Sequence, residues 1–153
     1  MEIKGNTLIN SPPAQVWAAL NDPRVLAKCT PGCQLLEPKG DSEYKMVMEL
    51  GIAAIKGRYE GEVIISDKVP ESSYKIRVKG EGLLGFVNAE GLLSLQGEGD
   101  KTRLSYLIEA QVGGKIAGVG QRVLGGIAKL LSGQFFKALE KELNSFGHGG
   151  IKG

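Results

Sequence analysis

The side chains able to do chemistry are few and stand apart. His148, the only histidine, lies in the run Gly147-His148-Gly149-Gly150, where no rigid neighbour is expected to set its pKa or hold it on a substrate. No serine or cysteine therefore has a histidine partner, and nucleophilic catalysis of the Ser-His or Cys-His kind is excluded. Cys29 and Cys33 flank a Thr30-Pro31-Gly32 turn; two thiols fall short of the four ligands of a structural zinc site and read as ordinary reduced cysteines. Glu49, Glu60, Glu62, Glu81, Glu90 and Glu109 mostly fall on the polar phase of alternating segments, which predicts a solvated outer face and signals no acid-base chemistry. Gly80-Glu81-Gly82-Leu83-Leu84-Gly85 has the spacing G-x-G-x-x-G. A dinucleotide site needs the last glycine to open a helix, however, and Phe86-Val87-Asn88-Ala89-Glu90 reads as a strand. A glycine-rich hairpin or bulge explains the spacing. The residues thus assign no catalytic group, no metal ligand and no cofactor.

The elements that must position whatever site exists follow from periodicity. Glu2 to Asn10 alternates imperfectly, as an edge strand does. Ser11-Pro12-Pro13 predicts an N-cap at Ser11 with proline in the first helical turn, followed by Val16, Trp17 and Leu20 at helical spacing. Asn21-Asp22-Pro23 repeats that logic for a second short helix, which Thr30-Pro31-Gly32 ends. From Gln34 to Val112 the period is two, as in Tyr44, Met46, Met48 against Lys45, Glu49, or Tyr59, Gly61, Val63, Ile65 against Arg58, Glu60, Glu62. Six antiparallel strands with one apolar face are expected there. Lys115 to Ser145 then carries Ile116, Val119, Val123, Ile127, Leu131, Phe135, Leu139 and Leu143 on one helical stripe, a helix of about 45 Å.

Composition bounds the class. The chain has 153 residues, 19 Lys and Arg against 17 Asp and Glu, 42% hydrophobic residues and 23 glycines, the balance of a single soluble domain. Its formal charge of +2, with bases scattered among acids, excludes a nucleic-acid footprint. The opening MEIKGNTLINSPPAQ has no signal-like pattern, and no apolar run approaches the ~18 residues of a membrane span. A cytoplasmic chain without a span is expected. The apolar phase of Met46, Met48, Tyr59, Ile76, Val78, Phe86, Leu93, Tyr106 and Ile108, facing Val123, Ile127, Leu131 and Phe135, allows two interiors. One is a filled core. The other is a ligand cavity, favoured by the many glycines, which remove volume between sheet and helix, and by the adaptable methionines.

This order of elements resembles the START-like helix-grip fold of the Bet v 1, polyketide-cyclase and lipid-transfer superfamily. The expected class is α+β: a curved antiparallel sheet of about seven strands wrapped around a long C-terminal helix, with two short helices after the first strand. One domain, 1–146, and a flexible tail, 147–153, are expected. The stretches Ser11 to Pro23 and Val25-Leu26-Ala27-Lys28-Cys29-Thr30-Pro31-Gly32-Cys33, with Gly113-Gly114-Lys115-Ile116-Ala117, Gly120-Gln121-Arg122 and Gln134-Phe135-Phe136, resemble the CoxG family of carbon monoxide dehydrogenase proteins.

That resemblance implies a non-catalytic accessory protein of a molybdenum-containing CO dehydrogenase-type hydroxylase, acting in its membrane recruitment, maturation or electron transfer. It also implies a hydrophobic cavity. Many members carry an apolar anchor after the domain, and this sequence stops at Gly153, so peripheral contact with the inner face of the membrane is expected. The implied partners are a lipid- or quinone-like molecule and the components of a molybdenum hydroxylase. The expected ligand walls are Trp17, Met46, Met48, Tyr59, Ile76, Phe86, Tyr106, Val123, Ile127 and Phe135, with Gly113, Gly114, Gly118 and Gly120 giving slack at the entrance. Two alternatives stay open. One is a docking protein with a filled core, using Cys29 to Cys33 and Phe135-Phe136. The other is a START-like cyclase or hydrolase using Tyr59, Tyr106 or Glu109.

Overall fold

Strand propensity, proline placement and turn chemistry together build the architecture seen in the computed structural model, which describes residues 1–152, with side chains through Ser145. The expected tail 147–153 and its His148 lie outside the residues whose side chains are described. Strand β1 (Glu2–Ile9) is followed by helices α1 (Pro13–Leu20) and α2 (Pro23–Cys29). Six strands come next, β2 (Cys33–Gly40), β3 (Glu43–Leu50), β4 (Gly57–Val69), β5 (Ser73–Gly82), β6 (Gly85–Glu98) and β7 (Lys101–Gly113). Short 3₁₀ turns occupy Ala53–Ile55 and Gly114–Val119, and α3 runs over Gln121–Lys152. The seven strands form one antiparallel sheet in the order β1-β7-β6-β5-β4-β3-β2. The helix pair α1 and α2 carries the chain from one sheet edge to the other. Register shifts in β2 and near Ser66 to Val69 add local twist, which lets so long a sheet curve.

Two local expectations are corrected. The N-cap of α1 is Pro12, without a side-chain bond. Ser11 is instead buried, and its carbonyl accepts a 2.7 Å bond from the Thr102 hydroxyl, which ties the start of α1 to β7. Asp22 does cap α2, accepting from the Arg24 amide at 2.9 Å. The second correction concerns the long helix, which begins at Gln121 and not at Lys115. Gly120 stands at φ 94°, a positive-φ conformation that a right-handed helix cannot pass through. The preceding residues close into the 3₁₀ turn.

The sheet's two faces differ as the alternation predicts. On the convex face Glu49, Glu60, Glu81, Glu90 and Glu109 are exposed and Glu62 is half-buried. Charges pair across strands there, as in Arg77 with Glu90 at 2.6 Å and Lys39 with Glu62 at 3.5 Å. Such exposed pairs contribute little singly. The concave face meets the helices in two clusters. One joins Ile9, Val16, Leu20, Val25, Cys29, Tyr74, Leu104, Leu139 and Leu143 beneath α1, α2 and the later turns of α3. The other joins Ile55, Tyr59, Ile116 and Leu124 at the opposite end. Packing of this kind stabilises by about 1.5–3 kcal/mol per fully buried aliphatic side chain.

Candidate ligand-binding site

Between the two clusters the concave face and α3 do not close completely. An apolar hollow of about 320 Å³ remains, walled by Met46, Met48, Val63, Ile65, Tyr74, Ile76, Val78, Leu93, Tyr106 and Ile108 from the sheet. Leu131, Ser132, Phe135 and Phe136 of α3 roof it, and Leu20, Leu26, Thr30, Pro31, Cys33 and Leu36 close one side. Each element contributes for a local reason. Period-2 alternation turns Met46, Met48, Ile76, Val78 and Ile108 to the same face. In α3, Leu131, Phe135 and Phe136 share a face because they lie four and five residues apart. The Thr30 to Cys33 connection is held against β3 by the bond from the Glu49 amide to the Gly32 carbonyl, 2.8 Å.

Polar groups on the wall are sparse. The Thr30 hydroxyl donates to the Leu26 carbonyl at 2.7 Å and the Cys33 thiol to the Leu35 carbonyl at 3.5 Å. Ser132, Tyr74 and Tyr106 complete the polar lining. The Tyr106 ring stacks on Phe136 with centroids 5.2 Å apart and lies over Gly5 of the neighbouring strand, where a Cβ would stand 2.5 Å from its hydroxyl oxygen. Burial pushes the Tyr74 hydroxyl and the Cys33 thiol upward in pKa, so both stay neutral near pH 7. No carboxylate, amine or imidazole lines the hollow, and among the described residues no group of three or more His, Cys, Asp or Glu could hold a metal ion. The arrangement can enclose an apolar body and offer it a few neutral hydrogen-bonding groups.

Of the ten residues expected as walls, Met46, Met48, Ile76, Tyr106 and Phe135 are brought together here. The other five stand elsewhere. Trp17 packs on the first cluster, its ring 5.7 Å from that of Tyr74. Tyr59 belongs to the second cluster, and its hydroxyl donates to the Ile55 carbonyl at 2.7 Å. Phe86 is 43% exposed on the convex face, because its register pairs it with Glu81 and Gly113. Val123 is 48% exposed; the helix starting at Gln121 turns its neighbour Leu124 inward instead. Ile127 packs against the second cluster.

The glycines also act differently from expectation. Gly113 and Gly114 provide close approach: a Cβ on Gly113 would collide with the Phe86 ring, and one on Gly114 would stand 2.7 Å from the Gly85 Cα. Only Gly118 and Gly120 of the four border open space. Wall residues not foreseen include Leu20, Leu26 and the Thr30 to Cys33 connection, whose inward aim no periodicity encodes. Val63, Ile65 and Tyr74 lie on the apolar phase and were findable there. The residues of the two alternative readings are dispersed too. Glu109 is exposed and pairs with the terminal ammonium at 2.9 Å, away from the hollow. Cys29 is buried, while Phe135 and Phe136 face the hollow.

The family profile of CoxG, a carbon monoxide dehydrogenase protein, matches residues 5–144. No curated protein matches the chain by sequence. Among solved structures, a conserved protein from Geobacillus kaustophilus is 43% identical with a TM-score of 0.93, covering 95% of this chain and 96% of its own. A START superfamily protein from Mycobacterium smegmatis is 12% identical with a TM-score of 0.78, over 95% and 98%. A protein from Chromobacterium violaceum is 19% identical with a TM-score of 0.73, over 93% and 96%. The two distant likenesses establish the START-like fold that the element order foreshadowed. With motif, fold and profile in agreement, the chain belongs to the CoxG family of carbon monoxide dehydrogenase proteins.

Proposed function

We infer that this protein is a non-catalytic accessory carrier in a CO dehydrogenase-type molybdenum hydroxylase system, holding a lipid- or quinone-like molecule in the hollow beneath α3 and linking the dehydrogenase to the membrane. The observation that carries this reading is the hollow itself. Protein interiors close to a packing density of about 0.75, with few voids larger than a water molecule. A space of about 320 Å³ walled almost wholly by apolar side chains is therefore a site in search of an apolar occupant. Family membership supplies the partner class, and a soluble dehydrogenase that must reach a water-insoluble acceptor supplies the ligand class.

The volume lies at the low end of small-molecule sites, which span roughly 300–1,000 Å³. A ring or a chain of about a dozen carbons fills it, and any longer tail stays outside. At about 0.8 kcal/mol per CH₂, such a body reaches micromolar affinity after the costs of association. Met46 and Met48 adapt to its shape, and the Tyr106 hydroxyl and Ser132 serve its polar end.

Native mass spectrometry of the purified protein, followed by organic extraction, tests the reading. The expected result is a stoichiometric apolar adduct, or one that forms on adding decyl-ubiquinone or dodecanoic acid and that Val78→Trp abolishes with its circular dichroism unchanged. A mass that stays bare after incubation with both compounds overturns the carrier reading in favour of a docking protein.

A further inference from the structure

We propose that the end of the molecule formed by the β5–β6 hairpin tip and the first turn of α3 is a docking surface for an anionic lipid bilayer. Leu83 is 102% exposed, at the first position of a two-residue hairpin loop where asparagine, aspartate or glycine is the usual choice. A lone exposed leucine is ordinary. This one has neighbours of the same character. Leu84 beside it packs into the second cluster with Ile116 and Leu124, and the Ile116 amide donates to the Leu84 carbonyl at 2.8 Å. Exposed Lys115 is thereby fixed next to the tip, and Arg122 and Val123 stand exposed beside Leu124.

Charge selects the partner. Between Gln111 and Leu139 there is no Asp or Glu, while Lys115, Arg122, Lys129 and Lys137 all lie there. All four are exposed, and none pairs with an acid among the described residues. Four cations exceed the whole chain's formal charge of +2, so this stretch is basic and the remainder is net acidic. A protruding apolar tip among unpaired cations suits a fluid anionic surface, into which it can insert without a preformed pocket. The hollow also lies close by: Leu131, on its roof, is about 12 Å along α3 from Val123 at 1.5 Å per residue. The surface rests on the carrier reading for its purpose, giving an apolar ligand a short path from bilayer to hollow.

Vesicle sedimentation without added ligand tests the surface separately from the cavity. Wild-type protein should sediment with phosphatidylcholine vesicles containing phosphatidylglycerol, less so with phosphatidylcholine alone, and less as salt is raised. Leu83→Asn should lower the partition coefficient roughly tenfold, and Lys115→Gln or Arg122→Gln about fivefold each. Leu107→Asn, which alters an exposed leucine on the convex face, should leave it unchanged. Equal sedimentation of Leu83→Asn and wild type overturns the proposal. So does failure to sediment with the anionic vesicles, an outcome that points to an acidic protein face as the occupant. Adduct formation in native mass spectra, unaffected by Leu83→Asn, keeps the carrier reading standing in either case.

Discussion

Cys29 and Cys33 lie four residues apart and in different surroundings. Cys29 is 2% exposed within the first cluster, and burial, with Glu142 nearby, pushes its thiol from 9.0 to about 11. Cys33 is half-exposed at the edge of the hollow. Iodoacetamide near neutral pH is therefore expected to modify Cys33 in the native protein and to reach Cys29 only on unfolding, with mass spectrometry of the digest reading both sites; equal labelling would contradict the packing described. Tyr44, Tyr59 and Tyr74 are raised by burial in the same direction. A group that folding holds protonated stabilises fully below its unfolded pKa, and that stabilisation is lost as pH climbs through the folded value. Urea midpoints should thus hold up to pH 9 and fall toward pH 11 and beyond, the window set by Cys29, with Cys29→Ala showing a shallower fall. A midpoint constant across that window would count against the buried thiol and phenols.

At the scale of elements, α3 carries glycines whose positions separate two roles. A Cβ on Gly126 or Gly133 would meet nothing within 4 Å, and both residues are exposed, so neither serves packing. Gly126→Ala and Gly133→Ala should each stabilise by about 1 kcal/mol, a rise of roughly 2–4 °C in Tm for a domain of this size. Gly85→Ala should act the other way, because its φ of 137° is foreign to alanine and its Cβ would collide with the Gly113 carbonyl. Thermal denaturation of the three variants distinguishes the roles, and stabilisation by Gly85→Ala would contradict the close approach of β6 to β7. The helical stripe from Val119 to Leu143 was legible in the sequence. The break at Gly120 was not, since a positive-φ residue leaves no trace in hydrophobic periodicity.

For the whole molecule, an incompletely filled interior leaves stability for a ligand to supply. A molecule bound only by the folded state stabilises by about 2.7 kcal/mol at a hundred times its Kd. Decyl-ubiquinone or dodecanoic acid should raise Tm by roughly 5–10 °C at that concentration, and the filled variant Val78→Trp should lose the response; no shift with either compound would speak for a closed interior. What the sequence determined alone was the order of elements, the single antiparallel sheet with a charged outer face, the long apolar-striped helix and the family motifs. All of these rest on local periodicity and turn chemistry, which each segment carries within itself. Which apolar residues border the hollow was decided by tertiary structure. Alternation separates two faces of a strand but does not say which is inward, and a shift of one residue exchanges them. Register with Glu81 and Gly113 turns Phe86 outward, and the start of α3 at Gln121 does the same to Val123. Trp17 and Tyr59 keep the apolar surroundings their composition calls for, yet in the clusters on either side of the hollow. The spacing between sheet and helix, on which the space itself depends, is a property of layers that meet only when the chain is folded.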